Sequence, residues 1–179
     1  AAILGLDSDA VRAVCERVQE SEVVTPANFN SPVQVVIAGH RSAVQRAAIE
    51  AKNAGARRAL LLPVSAPFHC SLMLPAEQRL SEDLDGIDFG DLQYPIVTNV
   101  DARAVRTGPE AREAVRRQTS RPVRWYETVR FLLDSGVDTF IEVGPGKVLI
   151  GLLRSIEKSV TMLNAEDKAS LDQAMASLR

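Results

Sequence analysis

The residue pattern predicts an α/β protein, and three features carry that expectation. Residues 1–64 alternate between strand and helix periods in the order strand, helix, strand, strand, helix, strand. After Ser65, short β-type runs again alternate with amphipathic helical stretches. The composition, 46% apolar and 25% charged over 179 residues, suits a globular chain that buries a core.

Ile3, Leu4 and Leu6 form a short apolar strand. Asp7 or Ser8 follows as an N-cap, since a short oxygen-bearing side chain can accept from the free amides of a first helical turn. Val11, Val14, Cys15 and Val18 recur at i, i+3, i+4 and i+7 and make one helical face. Val23 to Asn30 is extended, Ser31-Pro32 turns the chain, and the β-branched run from Val33 to Ala38 returns as the second arm of a hairpin. Ser42 and Gln45 have capping-box spacing ahead of a helix with Val44, Ala47, Ala48 and Ala51 inward, and Gly55 ends it. Ala59 to Val64 closes the set with another strand. This order is the split βαβ pattern of ferredoxin-like folds, so residues 1–64 are expected to form one small subdomain.

Residues 65–179 read as a second α/β region. Ala66 to Cys70 is a loop, and Pro75 opens a helix with Ala76, Leu80 and Leu84 on one side. Gly86 to Leu92 is linker-like, and Pro95 to Val100 is a buried-type strand. Thr107 and Glu110 frame a capped helix that runs to about Gln118. Trp125, Val129, Leu132 and Leu133 stripe the next helix, which Gly136 ends. Thr139 to Val143 is a strand, Gly144-Pro145-Gly146 a tight turn, and Val148, Leu149, Leu152, Leu153 and Ile156 a helical face. Val160 to Leu163 and a helix through Leu171, Ala174, Met175 and Leu178 complete the chain. Strands alternating with helices imply parallel pairing. Three candidate strands fall short of the roughly five or six of an average sheet, so the sheet is small or shares strands from other residues.

A net charge of -2 offers no basic surface for nucleic acid. No apolar run approaches the roughly 20 residues that span a bilayer, and no signal-peptide pattern is visible. Cys15 and Cys70 lie far apart and make no metal or redox motif, so a reducing cytoplasm is expected. The chain begins at Ala1 inside a strand-like run, which suggests a piece of something longer.

The chemistry centres on few residues. His69 sits in a proline-containing loop between a strand and a helix, where it can trade a proton at neutral pH or simply serve the turn. His40 follows Gly39 at a helix start and reads as a capping-region residue. No G-x-S-x-G elbow supplies a nucleophile; Gly39-His40-Arg41-Ser42 lacks the second glycine, and Ser42 reads as an N-cap. Asn28 and Asn30 alternate on one face of a strand, where they can bind a ligand or organise the Ser31-Pro32 turn. Gln118 shares a stripe with Ala111 and Val115; its amide can orient a histidine or cap the helix end. Gly144-Pro145-Gly146-Lys147 lacks Walker spacing, and either meets an anion at a helix N-terminus or packs a helix on a strand. Cys70 beside His69 is a weak thiol candidate, and Cys15 reads as core.

Several stretches together resemble the bacterial malonyl-CoA:acyl-carrier-protein transacylases. They are Ala1-Ala2-Ile3-Leu4-Gly5-Leu6, Asn28-Phe29-Asn30-Ser31-Pro32 with Gln34 to Gly39, and Pro67-Phe68-His69-Cys70. Thr98-Asn99-Val100-Asp101, Arg117-Gln118, Pro122-Val123-Arg124-Trp125 and Glu142 to Leu149 follow in the family's order. The resemblance implies a ferredoxin-like subdomain set in an α/β-hydrolase-like acyltransferase domain, of which residues 65–179 would be the C-terminal part. It implies ping-pong malonyl transfer from coenzyme A to the phosphopantetheine thiol of acyl carrier protein in fatty-acid synthesis, with no cofactor. His69 matches the general base and Gln118 the residue that orients it by a hydrogen bond. Asn28 and Asn30 match asparagines lining the site, and a bulky residue such as Phe68 before the histidine goes with malonyl. The serine elbow, the arginine for the malonyl carboxylate and the oxyanion amides belong to the family's upstream half, absent here. The chain alone is therefore expected to be inactive, its partners being that half, the thioester and the carrier protein. Val33 departs from the family's glycine after Ser-Pro, which puts the hairpin turn in doubt. A non-catalytic module that binds a carrier protein or another synthase domain is the rival expectation.

Overall fold

The structure, a computed structural model, describes residues 1–178 and divides into two compact units, Ala1–Thr128 and Val129–Arg179. It is a mixed α/β fold. The first unit opens with β1 (Ala2–Leu4), α1 (Ser8–Val18), β2 (Val24–Ser31), β3 (Gln34–Gly39), α2 (Arg41–Asn53) and β4 (Arg58–Leu60). The four strands form an antiparallel sheet in the order β2-β3-β1-β4. Ile3 and Val35 stand directly opposite each other across β1 and β3, and both are fully buried. Val11, Val14 and Cys15 of α1 and Ala43, Ala47 and Ala51 of α2 join them in one core cluster. Each large apolar side chain so removed from water contributes about 1.5–3 kcal/mol before chain entropy is set against it.

The ends of these helices follow local chemistry. Asp7 Oδ1 accepts from the Ala10 amide at 2.8 Å and starts α1. The expected Ser42 capping box does not form, because α2 begins at Arg41 with His40 as its N-cap. Ser42 falls inside the first turn, and its hydroxyl donates to the Glu22 carboxylate at 2.5 Å, which Arg46 also holds at 2.9 Å. Gly55, at φ 101°, closes α2 in a Schellman motif, with Gly55 N donating to Lys52 O and Ala56 N to Ala51 O. Gly39 is required by close approach, since a Cβ there would lie 2.0 Å from Val23 O. The Gly39-His40 pair therefore serves a strand contact, and His40 Nδ1 accepts from the Val23 amide at 2.9 Å.

Val33 is tolerated because the turn asks no left-handed φ of it; it is exposed, and its carbonyl accepts from Gly5 N at 2.8 Å. β4 is shorter than the expected strand. Its ladder to β1 ends at Ala2↔Leu60, and Leu61, Leu62 and Val64 are exposed.

The rest of the first unit holds a 3-10 turn (Ser71–Met73), α3 (Leu74–Asp85), β5 (Ile96–Thr98), β6 (Arg103–Val105), α4 (Gly108–Gln118) and the start of α5 (Trp125–Asp134). Parallel pairing was expected around Pro95 to Val100, but β5 and β6 form an antiparallel hairpin. Ala102, in the left-handed region at φ 52°, closes the hairpin turn, and its amide donates to Thr98 O at 2.8 Å. α4 is capped as its sequence indicates, with Thr107 accepting from Glu110 N and Glu110 reaching back to Thr107 N. Its buried face is Gly108, Ala111 and Ala114 rather than the Ala111, Val115 and Gln118 stripe: Val115 is 48% exposed. Small residues win that face because the chain approaches closely, a Cβ at Gly108 lying 1.7 Å from Phe89 O. Ala111, Val115 and Gln118 instead line an open cavity of about 240 Å³ with β5.

The second unit contains β7 (Thr139–Val143), α6 (Val148–Ile156), β8 (Thr161–Ala165) and α7 (Lys168–Ser177). β7 and β8 pair in parallel from Thr139↔Thr161 to Val143↔Ala165, with α6 as the crossover. Among the described residues no helix is long and apolar enough to cross a membrane.

Candidate active site

His69 is held in a sparsely populated backbone conformation. Its φ of 64° places a non-glycine residue in the left-handed region, which costs about 1–3 kcal/mol and persists only where neighbours fix it. Those neighbours are two successive carbonyls at the C-terminal end of α4. His69 Nδ1 lies 2.8 Å from the Gln118 carbonyl oxygen, and the His69 amide donates to Thr119 O at 3.3 Å. A helix leaves its last carbonyls without intrahelical partners, so α4 ends with acceptors to offer. A carbonyl can only accept. Nδ1 therefore carries a proton, and in the neutral imidazole Nε2 holds the free lone pair. Among the described residues nothing hydrogen-bonds Nε2, and the side chain is half-buried.

The loop around the ring is tied down from both sides. The Cys70 thiol donates to Pro67 O at 3.1 Å, bracketing Phe68 and His69. Cys70 is only 3% exposed, and burial pushes its thiol above the ordinary range, so it is a structural thiol rather than a nucleophile. Cys15 is likewise buried, its thiol pushed up to about 12 by desolvation. Phe68 is half exposed, with its ring centroid 6.5 Å from that of His69 and tilted by 50°.

Gln118 joins the histidine to the segment that pairs with β2, by atoms other than those its sequence position suggests. The ring meets the main-chain carbonyl. The side-chain amide turns the other way and donates to Arg121 O at 3.0 Å and Pro122 O at 3.3 Å. One residue further, Val123 pairs with β2: Phe29 N donates to Val123 O and Val123 N to Ala27 O, each at 2.8 Å. Asn28 sits within this bridge. The ladder shifts between Phe29 and Ser31, leaving Asn30 without an opposite residue, so the strict alternation expected to align Asn28 with Asn30 is interrupted there. Both asparagines are half-buried.

An ion pair that side-chain patterning did not reveal fixes the neighbouring turn. Arg117 donates to both Asp101 oxygens, at 2.9 and 2.6 Å, and holds that carboxyl below its usual range. Arg124 adds bonds from its amide to Asn99 O at 2.8 Å and from its guanidinium to Asp101 O at 3.0 Å. Gln118 to Val123 thus runs between two anchored arginines.

The Gly144-Pro145-Gly146 turn has its amides already engaged. Glu142 accepts from Leu149 N at 3.0 Å and Ile150 N at 2.8 Å, and Glu166 accepts from Gly146 N at 3.0 Å. Two carboxylates fill the place an anion would take, so the turn packs α6 and does not present a phosphate site.

The chain belongs to the acyl transferase domain family, whose model matches residues 4–173. Among curated relatives it resembles the malonyl CoA-acyl carrier protein transacylase of Escherichia coli K12, 45% identical over 98% of this chain and 57% of that protein. The transacylase of Bacillus subtilis is 39% identical over the whole of this chain and 57% of its own length. Similar solved structures include a malonyl-transacylase in complex with a type II PKS acyl-carrier protein, with TM-score 0.95 and 45% identity over 98% of this chain and 57% of that one. The malonyl CoA-acyl carrier protein transacylase of Coxiella burnetii gives TM-score 0.96 and 38% identity over 99% of this chain and 56% of that one. The chain thus spans somewhat more than half the length of these relatives.

Proposed function

We propose that this chain carries the general base of a malonyl-CoA:acyl-carrier-protein transacylase, and that it works with a serine-bearing segment outside residues 1–179. The observation that carries the reading is the 2.8 Å contact between His69 Nδ1 and the Gln118 carbonyl, which leaves Nε2 as the proton acceptor. In the proposed cycle Nε2 takes the serine proton as the serine oxygen attacks the malonyl thioester carbonyl. The carbon–sulfur bond breaks, and the imidazolium returns the proton to the departing coenzyme A sulfur. The phosphopantetheine thiol of acyl carrier protein then gives its proton to Nε2, attacks the serine ester and leaves with the malonyl group. The imidazolium restores the serine hydroxyl. The Gln118 carbonyl accepts from Nδ1–H throughout, in the place a carboxylate holds in a serine–histidine–aspartate triad. The cycle as written needs no cofactor.

Asn28 and Asn30 are proposed to line the substrate site from β2, and Phe68 to fill the space that an α-methyl on the acyl group would need, a preference worth about 1–3 kcal/mol. The antiparallel β2-β3-β1-β4 order with α1 and α2 in one core supports reading residues 1–64 as a ferredoxin-like subdomain. Residues 65–179 would then be the C-terminal part of a larger α/β-hydrolase-like domain. A reducing cytoplasm suits the two unpaired, buried cysteines.

The test is reconstitution. The chain alone should transfer no malonyl group. Adding the serine-bearing segment of a relative should restore transfer to carrier protein, and His69→Ala should then lower kcat by about 10²–10⁴-fold. Full transfer by the His69→Ala variant would overturn the assignment.

A further inference from the structure

The carbonyls that hold His69 are themselves held, and by a buried carboxylate. Glu77 lies on α3, eight residues beyond His69, and is 7% exposed. It receives the hydroxyl of Ser120, which is 5% exposed, and the guanidinium of Arg116. Neither link takes part in the proposed chemistry; the two residues flank the Gln118–Thr119 carbonyls in sequence. Arg116 stands two residues before Gln118 and Ser120 two residues after.

The geometry points to Glu77 and Ser120 as positioning residues that set where the His69 ring sits. Two stretches of chain, 69–77 and 116–120, are tied together at both ends. At one end His69 bonds Gln118 O and Thr119 O; at the other Glu77 bonds Arg116 and Ser120. Between them the 3-10 turn and the first turn of α3 make a short stiff arm, with Met73 N donating to Cys70 O at 3.0 Å. A buried carboxylate left without donors is costly, so Glu77 resists any shift of the 116–120 segment. That segment ends α4, where Ser120 N reaches Arg117 O at a stretched 3.3 Å. Without Ser120 bonded to Glu77, the two carbonyls beneath the ring gain freedom to turn. A base displaced by a fraction of an ångström loses rate, while substrate affinity, set elsewhere, does not change.

This inference rests on His69 being the base, and its test separates the two. Ser120→Ala removes the link but leaves the Glu77–Arg116 pair; Glu77→Gln keeps an oxygen for Ser120 to bond. In the reconstituted enzyme Ser120→Ala should lower kcat about tenfold at unchanged KM, and Glu77→Gln by less than about threefold. In this chain, ¹⁵N spectra of His69 should show Ser120→Ala moving the ring away from a single Nδ1–H tautomer. A Ser120→Ala protein with the parent tautomer and kcat, altered only in melting temperature, would make the link merely structural and overturn the proposal. The ring spectra need no turnover, so they still decide this point if His69→Ala proves harmless to transfer.

Discussion

An imidazole works as a base through the nitrogen that lacks a proton, so whatever holds the other nitrogen decides its use. Here that holder is a peptide oxygen, which any residue at position 118 would supply. Gln118→Ala should therefore keep the ring's acceptor and lose only the bonds to Arg121 O and Pro122 O. The expected result is a stability loss of about 1 kcal/mol and a fall in kcat within about tenfold, far milder than His69→Ala. A Gln118→Ala loss equal to that of His69→Ala, in a reconstituted assay, would mean the side-chain amide orients the ring. The contact between His69 and Gln118 was expected from the family resemblance, but the bonding atom was not: residue identity speaks for side chains, and a main-chain carbonyl has no signature. Glu77 was hidden for a related reason. It falls at i, i+3 and i+7 with Leu80 and Leu84 on the apolar face of its helix, but a glutamate is by residue type ordinarily exposed, and only contact with Arg116 and Ser120 reveals it as buried.

At the scale of elements, the site depends on where α4 ends and therefore on how α4 begins. Glu110 accepts from the amides of Arg106 and Thr107 and from the Thr107 hydroxyl, and these donors lower its carboxyl to about 2. Its ordinary value is 4.5. A carboxyl lowered on folding stabilises the fold fully above the unfolded value, and that contribution fades as pH falls from about 4.5 toward about 2. Glu110→Gln should flatten the melting temperature against pH across that window and leave the neutral region less affected in slope. Parallel curves for parent and variant would show that the box is not the titrating group. This helix was readable because Thr107 and Glu110 carry its start signal in their own side chains. The β5–β6 hairpin was not, because Ala102 takes a left-handed conformation without the glycine or asparagine that ordinarily announces one.

For the whole molecule the informative feature is apolar surface that the described residues leave uncovered. Leu60, Leu61, Leu62 and Val64 form an almost unbroken exposed run directly before the His69 loop, with Leu61 at 59%. The strand expected to continue to Val64 stops at Leu60, where its ladder to β1 ends, so an apolar run without strand pairing leads from the sheet to the candidate base. If the serine-bearing segment completes the site, this run is where it should pack, because a nucleophile must come within hydrogen-bond reach of Nε2 while water is kept out. Leu61→Asp then separates folding from assembly. In this chain alone the side chain is already largely in solvent, so its melting temperature should change by no more than about 0.5 kcal/mol of stability implies. Reconstitution should suffer much more, since a charge cannot be buried unpaired: titration with the serine-bearing segment should need at least about tenfold more of it for half-maximal transfer. Equal titration curves for parent and Leu61→Asp would place the contact elsewhere and leave the run without a role in assembly.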